Sequence, residues 1–296
     1  MPETELVLNV LFFLLATSGW CAAFYAVDRW HSGREVLPFE PRRPVPWKVL
    51  EVLPIVGWFG LALVLTLATA GNVESKPLSQ DQVRPMLVSG LLSNLVFAFF
   101  IRAGLTFRQS VTPLDIGWRP SKIGRDTLLG IGGFLAIGFV IFMLQIVLSR
   151  HNADPKLQHP LVQAMLRDPS PGILGLAALS VIVVAPLCEE FLFRVVLQGY
   201  LEKRLGVPAG ETAPTCLTWK HSLPIVISAA FFAAIHLRFH NGAPNPDPIP
   251  LFVLALVLGY LYRQTHRIWP SVVLHATWNG ISFCVFLWQL FAASAK

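Results

Sequence analysis

Residues 174–200 read LGLAALSVIVVAPLCEEFLFRVVLQGY. This stretch decides the fold class, because about 20 consecutive apolar residues are what a helix needs to cross a bilayer. It nevertheless contains Glu189, Glu190 and Arg194. Charges such as Asp or Arg at the centre of a membrane helix cost roughly 2.5–3.5 kcal/mol each on insertion scales, and such residues are functional by default. The segment therefore predicts a membrane span with a site inside it.

The spacing of the three charges predicts different roles for the two glutamates. Glu190 and Arg194 are four residues apart on one helix face, with the carboxylate first, which is the favourable order for an ion pair. Glu189 points about 100° away. We expect Glu190 to neutralise Arg194 and Glu189 to face a cavity. The structural alternative is a salt bridge that locks the helix against a neighbour, with Glu189 paired elsewhere.

The composition predicts an all-α, polytopic integral membrane protein. Hydrophobic residues make up 54% of the 296, and charged residues 14%, against about 25% charged in soluble domains. Hydropathy predicts eight transmembrane helices, at about 5–27, 50–71, 86–105, 127–149, 173–201, 222–238, 250–264 and 268–291. The sixth and seventh are short, so we expect one of them to be broken or only partly inserted. Gly130, Gly132, Gly133 and Gly138 in the fourth predict close helix packing.

The basic residues set the expected orientation. The net charge is +6, but Lys and Arg concentrate in the loops after the odd-numbered spans, as in cytoplasmic loops and not as in a nucleic-acid-binding surface. Both termini are expected outside the cytoplasm, with the bilayer as partner and no nucleic acid. The acidic start lacks the basic region of a signal peptide, so the first helix is expected to be retained. Residues 30–48, with four prolines and mixed charges, predict a solvent-side loop.

Two histidines lie in apolar segments where a titratable ring is unusual. His236 ends the sixth span, with Phe232 one helical turn before it, and His275 begins the last span, with Asn279 at i+4. A single His of this kind is usually a packing residue, but two of them with an amide and a spare carboxylate point to a site. Cys188 beside Glu189 is interpreted as a buried small hydrophobe and not as a nucleophile. The four cysteines contain no CxxC pair.

These side chains fit hydrolysis of a carbonyl compound in a dry site. Glu189 is the expected general base on water, His236 and His275 donate to the carbonyl oxygen, and Asn279 holds the water or the scissile amide. The alternative is a zinc site with Glu189, His236 and His275 as ligands and an open fourth position. Full spans would put the histidines at different depths. They meet only if the sixth helix stops inside the membrane and residues 238–250 line a cavity.

Three motifs in order, Glu189-Glu190-x-x-x-Arg194, Phe232-x-x-x-His236 and His275-x-x-x-Asn279, resemble those of the CAAX prenyl endopeptidases and bacterial Abi proteins, a family (CPBP) of intramembrane proteases. The resemblance covers about residues 120–291. It divides the chain into three variable N-terminal spans, 1–115, and a catalytic membrane domain, 116–296.

The resemblance implies proteolysis of a membrane-associated or lipidated peptide near the cytoplasmic face of, we expect, a bacterial inner membrane. Glu189, His236 and His275 match the family's essential positions, Asn279 its fourth polar position, and Glu190 and Arg194 its supporting pair. No cofactor is favoured, and zinc is the alternative. Two other functions stay open. One is a proton-coupled transporter that uses the Glu and His cluster, and the other is a non-catalytic immunity-type scaffold.

Overall fold

The computed structural model describes residues 2–41, 44–69, 79–151, 160–206, 219–240 and 243–294. Within these ranges the chain is almost entirely helical. The helices are α1 (Pro2–His31), α2 (Val49–Ala68), α3 (Gln80–Gln109), α4 (Ile123–His151), α5 (Pro160–Arg167), α6 (Pro171–Arg204), α7 (Trp219–Ala234), α8 (Pro248–Thr265) and α9 (Ile268–Ser294), with a 3₁₀ turn at Pro120–Lys122. A small antiparallel hairpin, β1 (Phe239–His240) and β2 (Ala243–Pro244), separates α7 from α8.

The protein is an all-α integral membrane protein. Seven helices among the described residues, α1–α4, α6, α8 and α9, are long and apolar enough to cross a membrane. The expected sixth span is the short one, because α7 has 16 residues, about 24 Å at 1.5 Å per residue. The chain leaves α7 after Ala234 and enters the hairpin, so the described residues contain seven candidate spans, with α7 as a short helix at the place of the expected sixth.

Helix α6 carries the charged residues and is locally widened twice. Residues Leu179–Val184 and Phe191–Gln198 have the i→i+5 hydrogen bonding of a π-helix, and a regular α-helical segment, Ala185–Glu190, lies between them. Wide turns of this kind are rare and frequent at functional sites. They bracket the two glutamates, which both sit at the end of the regular segment.

Glycines on α4 allow α9 to approach closely. A Cβ at Gly130 would lie 2.6 Å from the Val273 Cβ and 2.8 Å from the Pro270 carbonyl oxygen, and a Cβ at Gly133 would lie 2.6 Å from Leu274. The expected close packing is therefore present at these two positions. Gly132 has no atom within 4 Å of the same point.

Gly130→Ala is expected to destabilise the protein by about 1–3 kcal/mol, because the added methyl group overlaps backbone and forces the two helices apart. Gly132→Ala is the matched control on the same helix. It meets open space and gains roughly 1 kcal/mol of helix propensity. Thermal unfolding in detergent should show a lower midpoint for the first variant alone. Equal midpoints would contradict this account of α4–α9 packing.

The end of the loop between α1 and α2 enters the core, which corrects part of the expectation of a solvent-side loop for residues 30–48, while residues 31–34 at its start are exposed. Trp47 is fully buried, its Nε1–H donates to the Val196 carbonyl at 3.0 Å, and its own carbonyl accepts from Lys203 Nζ at 2.9 Å. The loop therefore closes over the C-terminal half of α6. The division of the chain at residue 115 stays a prediction.

Buried charges attach the same loop to the turn between α8 and α9. Arg267 is fully buried and pairs with Asp126 at 2.7 Å and with Glu40. The Glu40 N–H donates to the Gln264 carbonyl at 2.7 Å. Hydropathy predicts that charged residues such as Arg267 and Glu40 lie in solvent. In the fold their opposite charges pair, and the pairing compensates for the cost of burying them.

Candidate active site

Glu190 and Arg194 form a buried ion pair inside the bundle. Both side chains are fully buried, and the Arg194 Nε–H donates to Glu190 Oε2 at 3.1 Å. Arg194 Nη1 donates to Ser228 Oγ at 3.2 Å, and that hydroxyl donates to the Phe193 carbonyl at 2.9 Å. The guanidinium also lies over the Phe232 ring, 5.3 Å from its centroid. The expected pairing is thus present, with Ser228 on α7 as an additional partner.

His275 joins this pair from α9. Its Nδ1 lies 3.0 Å from Glu190 Oε1. A carboxylate only accepts hydrogen bonds, so Nδ1 carries the proton and donates. His275 is nearly buried, at 4% side-chain exposure. The arrangement holds the ring in one tautomer and leaves Nε2 as the nitrogen available for chemistry.

Glu189 lies on the other side of that imidazole. Its Oε2 is 3.8 Å from His275 Nε2, and its side chain is 17% exposed. This separation is longer than a hydrogen bond, so the two groups face each other without a direct bond. The two neighbouring glutamates therefore contact the two nitrogens of one histidine, the buried one at Nδ1 and the more accessible one at Nε2.

His236 lies just beyond the end of α7, in the turn that follows Ala234. Its Nδ1 is 2.8 Å from the Phe232 carbonyl oxygen, which only accepts, so Nδ1–H donates and Nε2 again is left. The Phe232 ring is packed between both histidines, with centroid distances of 4.9 Å to His236 and 5.8 Å to His275. The early end of α7 places both rings against Phe232.

Asn279 faces α6 one turn beyond His275. Its Nδ2 donates to the Val181 carbonyl at 2.8 Å, within the first widened turn. This bond uses one amide N–H and ties α9 to α6 about two turns before the glutamates. The expected role of Asn279, to hold the water or the scissile amide, requires its second amide N–H and its amide oxygen.

The possible zinc ligands, Glu189, His236 and His275, were tested against this geometry. Each histidine donates from Nδ1 to an oxygen, which metal-binding histidines generally do. Within the part of the chain that the structure describes, however, no three His, Cys, Asp or Glu side chains are grouped so that they hold a metal ion. Zinc stays the alternative, and Nε2 of each histidine is the nitrogen that would bind it.

A second polar group lies next to His236, between the hairpin and α8. Arg238 Nη2 is 2.5 Å from Asp247 Oδ2. Burial lowers the pKa of the Arg238 guanidinium from its ordinary value, and the Asp247 carboxylate opposes that shift. The carboxylate therefore favours the charged form of Arg238 in this partly buried position.

The sequence motifs identified most of the site but missed three features. Ser228 was findable, since it precedes Phe232 by four residues on the face that carries His236. The widened turns of α6 and the buried Asn245 beside His236 have no local signal in the sequence. Cys188 is buried, at 5% exposure, as expected of a small hydrophobe. Cys216 lies outside the described residues.

Comparison with known proteins agrees with the geometry. Residues 171–281, from the start of α6 into α9, match the family model described as type II CAAX prenyl endopeptidase Rce1-like. The chain is also similar to an Escherichia coli protein described as an uncharacterized 24.3 kDa protein, with 23% identity over 190 residues, which are 64% of this chain and 77% of that protein. The chain matches no solved structure.

Proposed function

Because residues 171–281 match the Rce1-like family model, we propose that this protein is a membrane-embedded endopeptidase that cleaves a membrane-associated or lipidated peptide near the cytoplasmic face. One observation carries the proposal. Glu189, partly accessible, faces Nε2 of a histidine whose Nδ1 is held by buried Glu190. A carboxylate beside an oriented imidazole is the arrangement needed to remove a proton from water.

In the proposed mechanism Glu189 is the general base. It takes a proton from a water that attacks the scissile carbonyl carbon, and the proton then passes to the amide nitrogen as the C–N bond breaks. Glu190 holds the His275 ring in place, as the buried carboxylate of a catalytic triad does. His275 donates from Nε2 to the developing oxyanion when that nitrogen is protonated.

The hydrogen bonds modify the expected part of His236. With Nδ1–H donated to Phe232, the neutral ring presents Nε2 as an acceptor. An acceptor nitrogen suits His236 to orient the attacking water. His236 donates to an oxyanion only in its imidazolium form. Asn279, whose amide retains one N–H, supplies a donor that does not depend on protonation.

The test is cleavage of defined substrates by purified protein in lipid vesicles. A library of lipidated and unlipidated membrane peptides is incubated with the wild type and with Glu189→Gln, and products are identified by mass spectrometry. Cleavage by the wild type alone supports the proposal. Transport of protons or solutes without cleavage would favour the transporter, and the absence of both activities would favour the scaffold.

We expect turnover without a bound metal. Active protein, extensively dialysed against a chelator, should retain its rate and contain far less than one zinc per chain by elemental analysis. Near-stoichiometric zinc, together with loss of activity in chelator and its return on adding zinc, would replace Glu189 as the base with a metal-bound water.

The proposed orientation puts both termini outside the cytoplasm of a bacterial inner membrane. Single cysteines at Ser121, before α4, and at Ser170, before α6, lie at opposite ends of the bundle on exposed positions. On a cysteine-free background, an impermeant maleimide added to intact cells should label position 170 and not position 121. The reverse pattern would contradict the orientation inferred from the basic loops.

A further inference from the structure

Asn245 is a buried polar residue that belongs to none of the three motifs. It follows strand β2 in the segment between α7 and α8, and it is 4% exposed. Buried amides in apolar surroundings are costly unless their hydrogen bonds are made. The partners of Asn245 are unusual, because most of them are backbone groups at and next to His236.

Asn245 binds the chain on both sides of Leu237. Its side-chain Nδ2 donates to the His236 carbonyl at 3.1 Å, and its Oδ1 accepts from the Arg238 N–H at 2.8 Å. Its own backbone N–H donates to the Arg238 carbonyl at 2.9 Å. Nδ2 also lies 3.0 Å from Asp247 Oδ2, just before α8.

These bonds continue the hairpin beyond its regular pairs. The strands pair Phe239 with Pro244 and His240 with Ala243. Arg238 and Asn245 are next in that register, and the asparagine side chain reaches two residues further, to His236. It thus makes hydrogen bonds to backbone groups at the place where the chain leaves helical geometry. Irregular backbone at membrane depth requires such bonds, because no water is there to make them.

The position of the His236 ring depends on this backbone. The His236 N–H donates to the Ala233 carbonyl at 3.1 Å and its Nδ1–H to the Phe232 carbonyl. Both bonds tie it to the end of α7. Asn245 alone, of the contacts described above, fixes the carbonyl on the other side of the residue.

We propose that Asn245 is a positioning residue that holds His236 so that its Nε2 faces the substrate. The proposal rests on the proposed function for its kinetic consequence. Its structural consequence, one fixed tautomer of His236, does not require turnover. Removing the amide takes the donor from the His236 carbonyl and the acceptor from the Arg238 N–H, and the freed backbone lets the ring leave the Phe232 carbonyl.

The test compares Asn245→Ala and Asn245→Asp with Thr265→Val. Asp keeps an acceptor for the Arg238 N–H but cannot donate to the His236 carbonyl, and it faces Asp247. Thr265 is the control, because it is also 4% exposed and donates to a backbone carbonyl, that of Leu261 at 2.8 Å, at the other end of α8. The readouts are kcat, KM, thermal midpoint and the ¹⁵N spectrum of labelled histidines in detergent, with His236 assigned by substitution.

Both Asn245 variants should lower kcat by about 10–100-fold, by analogy with the loss of residues that orient metal-bound histidines, with KM changed less than about threefold since substrate contacts remain. The His236 signal should shift from the Nδ1–H tautomer to an average of both. Thr265→Val should lose stability and change neither kcat nor the spectrum. Asn245→Ser, measured alongside, retains a small hydroxyl in case the other variants do not fold.

Unchanged kcat and an unchanged His236 signal in the folded Asn245 variants would overturn the proposal, and so would an equal fall of kcat in Thr265→Val. The proposed function fails separately. If the wild type cleaves no peptide but the tautomer still changes in Asn245→Ala, Asn245 positions His236 in a protein that is not a peptidase.

Discussion

Glu189→Gln is expected to reduce peptide hydrolysis by at least about 10²–10⁴-fold, the usual contribution of a general base, and to leave the protein folded. The amide has the shape of the carboxylate but cannot accept a proton from water. Glu189 is partly exposed, and the contact that the structure gives it is the 3.8 Å approach to His275. Its replacement therefore removes no buried ion pair. Cleavage of a lipidated peptide and the thermal midpoint are measured on the same preparation.

The same substitution one residue along is the matched control. Glu190→Gln removes the charge that faces buried Arg194 and weakens the bond to His275 Nδ1, so it should lower the thermal midpoint as well as activity. A stable but inactive Glu190→Gln, beside a Glu189→Gln that keeps half the wild-type rate, would assign the base to Glu190.

The histidine substitutions should differ from each other for a related reason. His275→Ala leaves one oxygen of Glu190 without its donor inside the core, and a buried group left unpaired costs about 1–3 kcal/mol or more. His236 contacts a backbone carbonyl that the α7 end can present to water. We therefore expect His236→Ala to be the more stable of two inactive variants.

The parts of the site that the sequence predicted are those encoded by local spacing. Glu190 and Arg194 pair because residues four apart share a helix face. The predicted angle of about 100° between Glu189 and Glu190 assumes regular helix geometry. Ala185–Glu190 has that geometry, because it is a regular segment between two widened turns. A widened turn between the two glutamates would have given their side chains a different angle. The approach of His236 and His275 to a common neighbour, Phe232, followed from the depth at which the short α7 ends.

The parts that the sequence did not predict depend on contacts across long separations. Trp47 meets Val196 and Glu40 meets Arg267, and hydropathy counts the loop between α1 and α2 as solvated because it is polar and rich in proline. Burial of opposite charges is decided by partners that lie elsewhere in the chain. Asn245 was missed for a different reason, since its partners lie only seven and nine residues before it, in a hairpin too short to show alternation.

Glu190→Ala is expected to produce the largest loss of stability of any single substitution in the site. It leaves the Arg194 guanidinium fully buried with Ser228 and the Phe232 ring as its remaining neighbours. Breaking a buried ion pair from one side costs about 3–5 kcal/mol in soluble proteins. The thermal midpoint in detergent and the yield of membrane-inserted protein should both fall. A midpoint equal to that of the wild type would show that Arg194 finds another anion.

Replacing both partners separates the charge penalty from packing. Glu190→Leu with Arg194→Met removes the two charges together and keeps similar volume, and such exchanges of a buried pair are often neutral or stabilising. The midpoint of the double variant should return close to that of the wild type, while Arg194→Met alone stays low because Glu190 is then the uncompensated charge. Activity should not return in the double variant, since His275 Nδ1 has lost the carboxylate that orients it. Recovery of both stability and turnover would mean that the pair only holds the fold and that His275 needs no carboxylate at Nδ1.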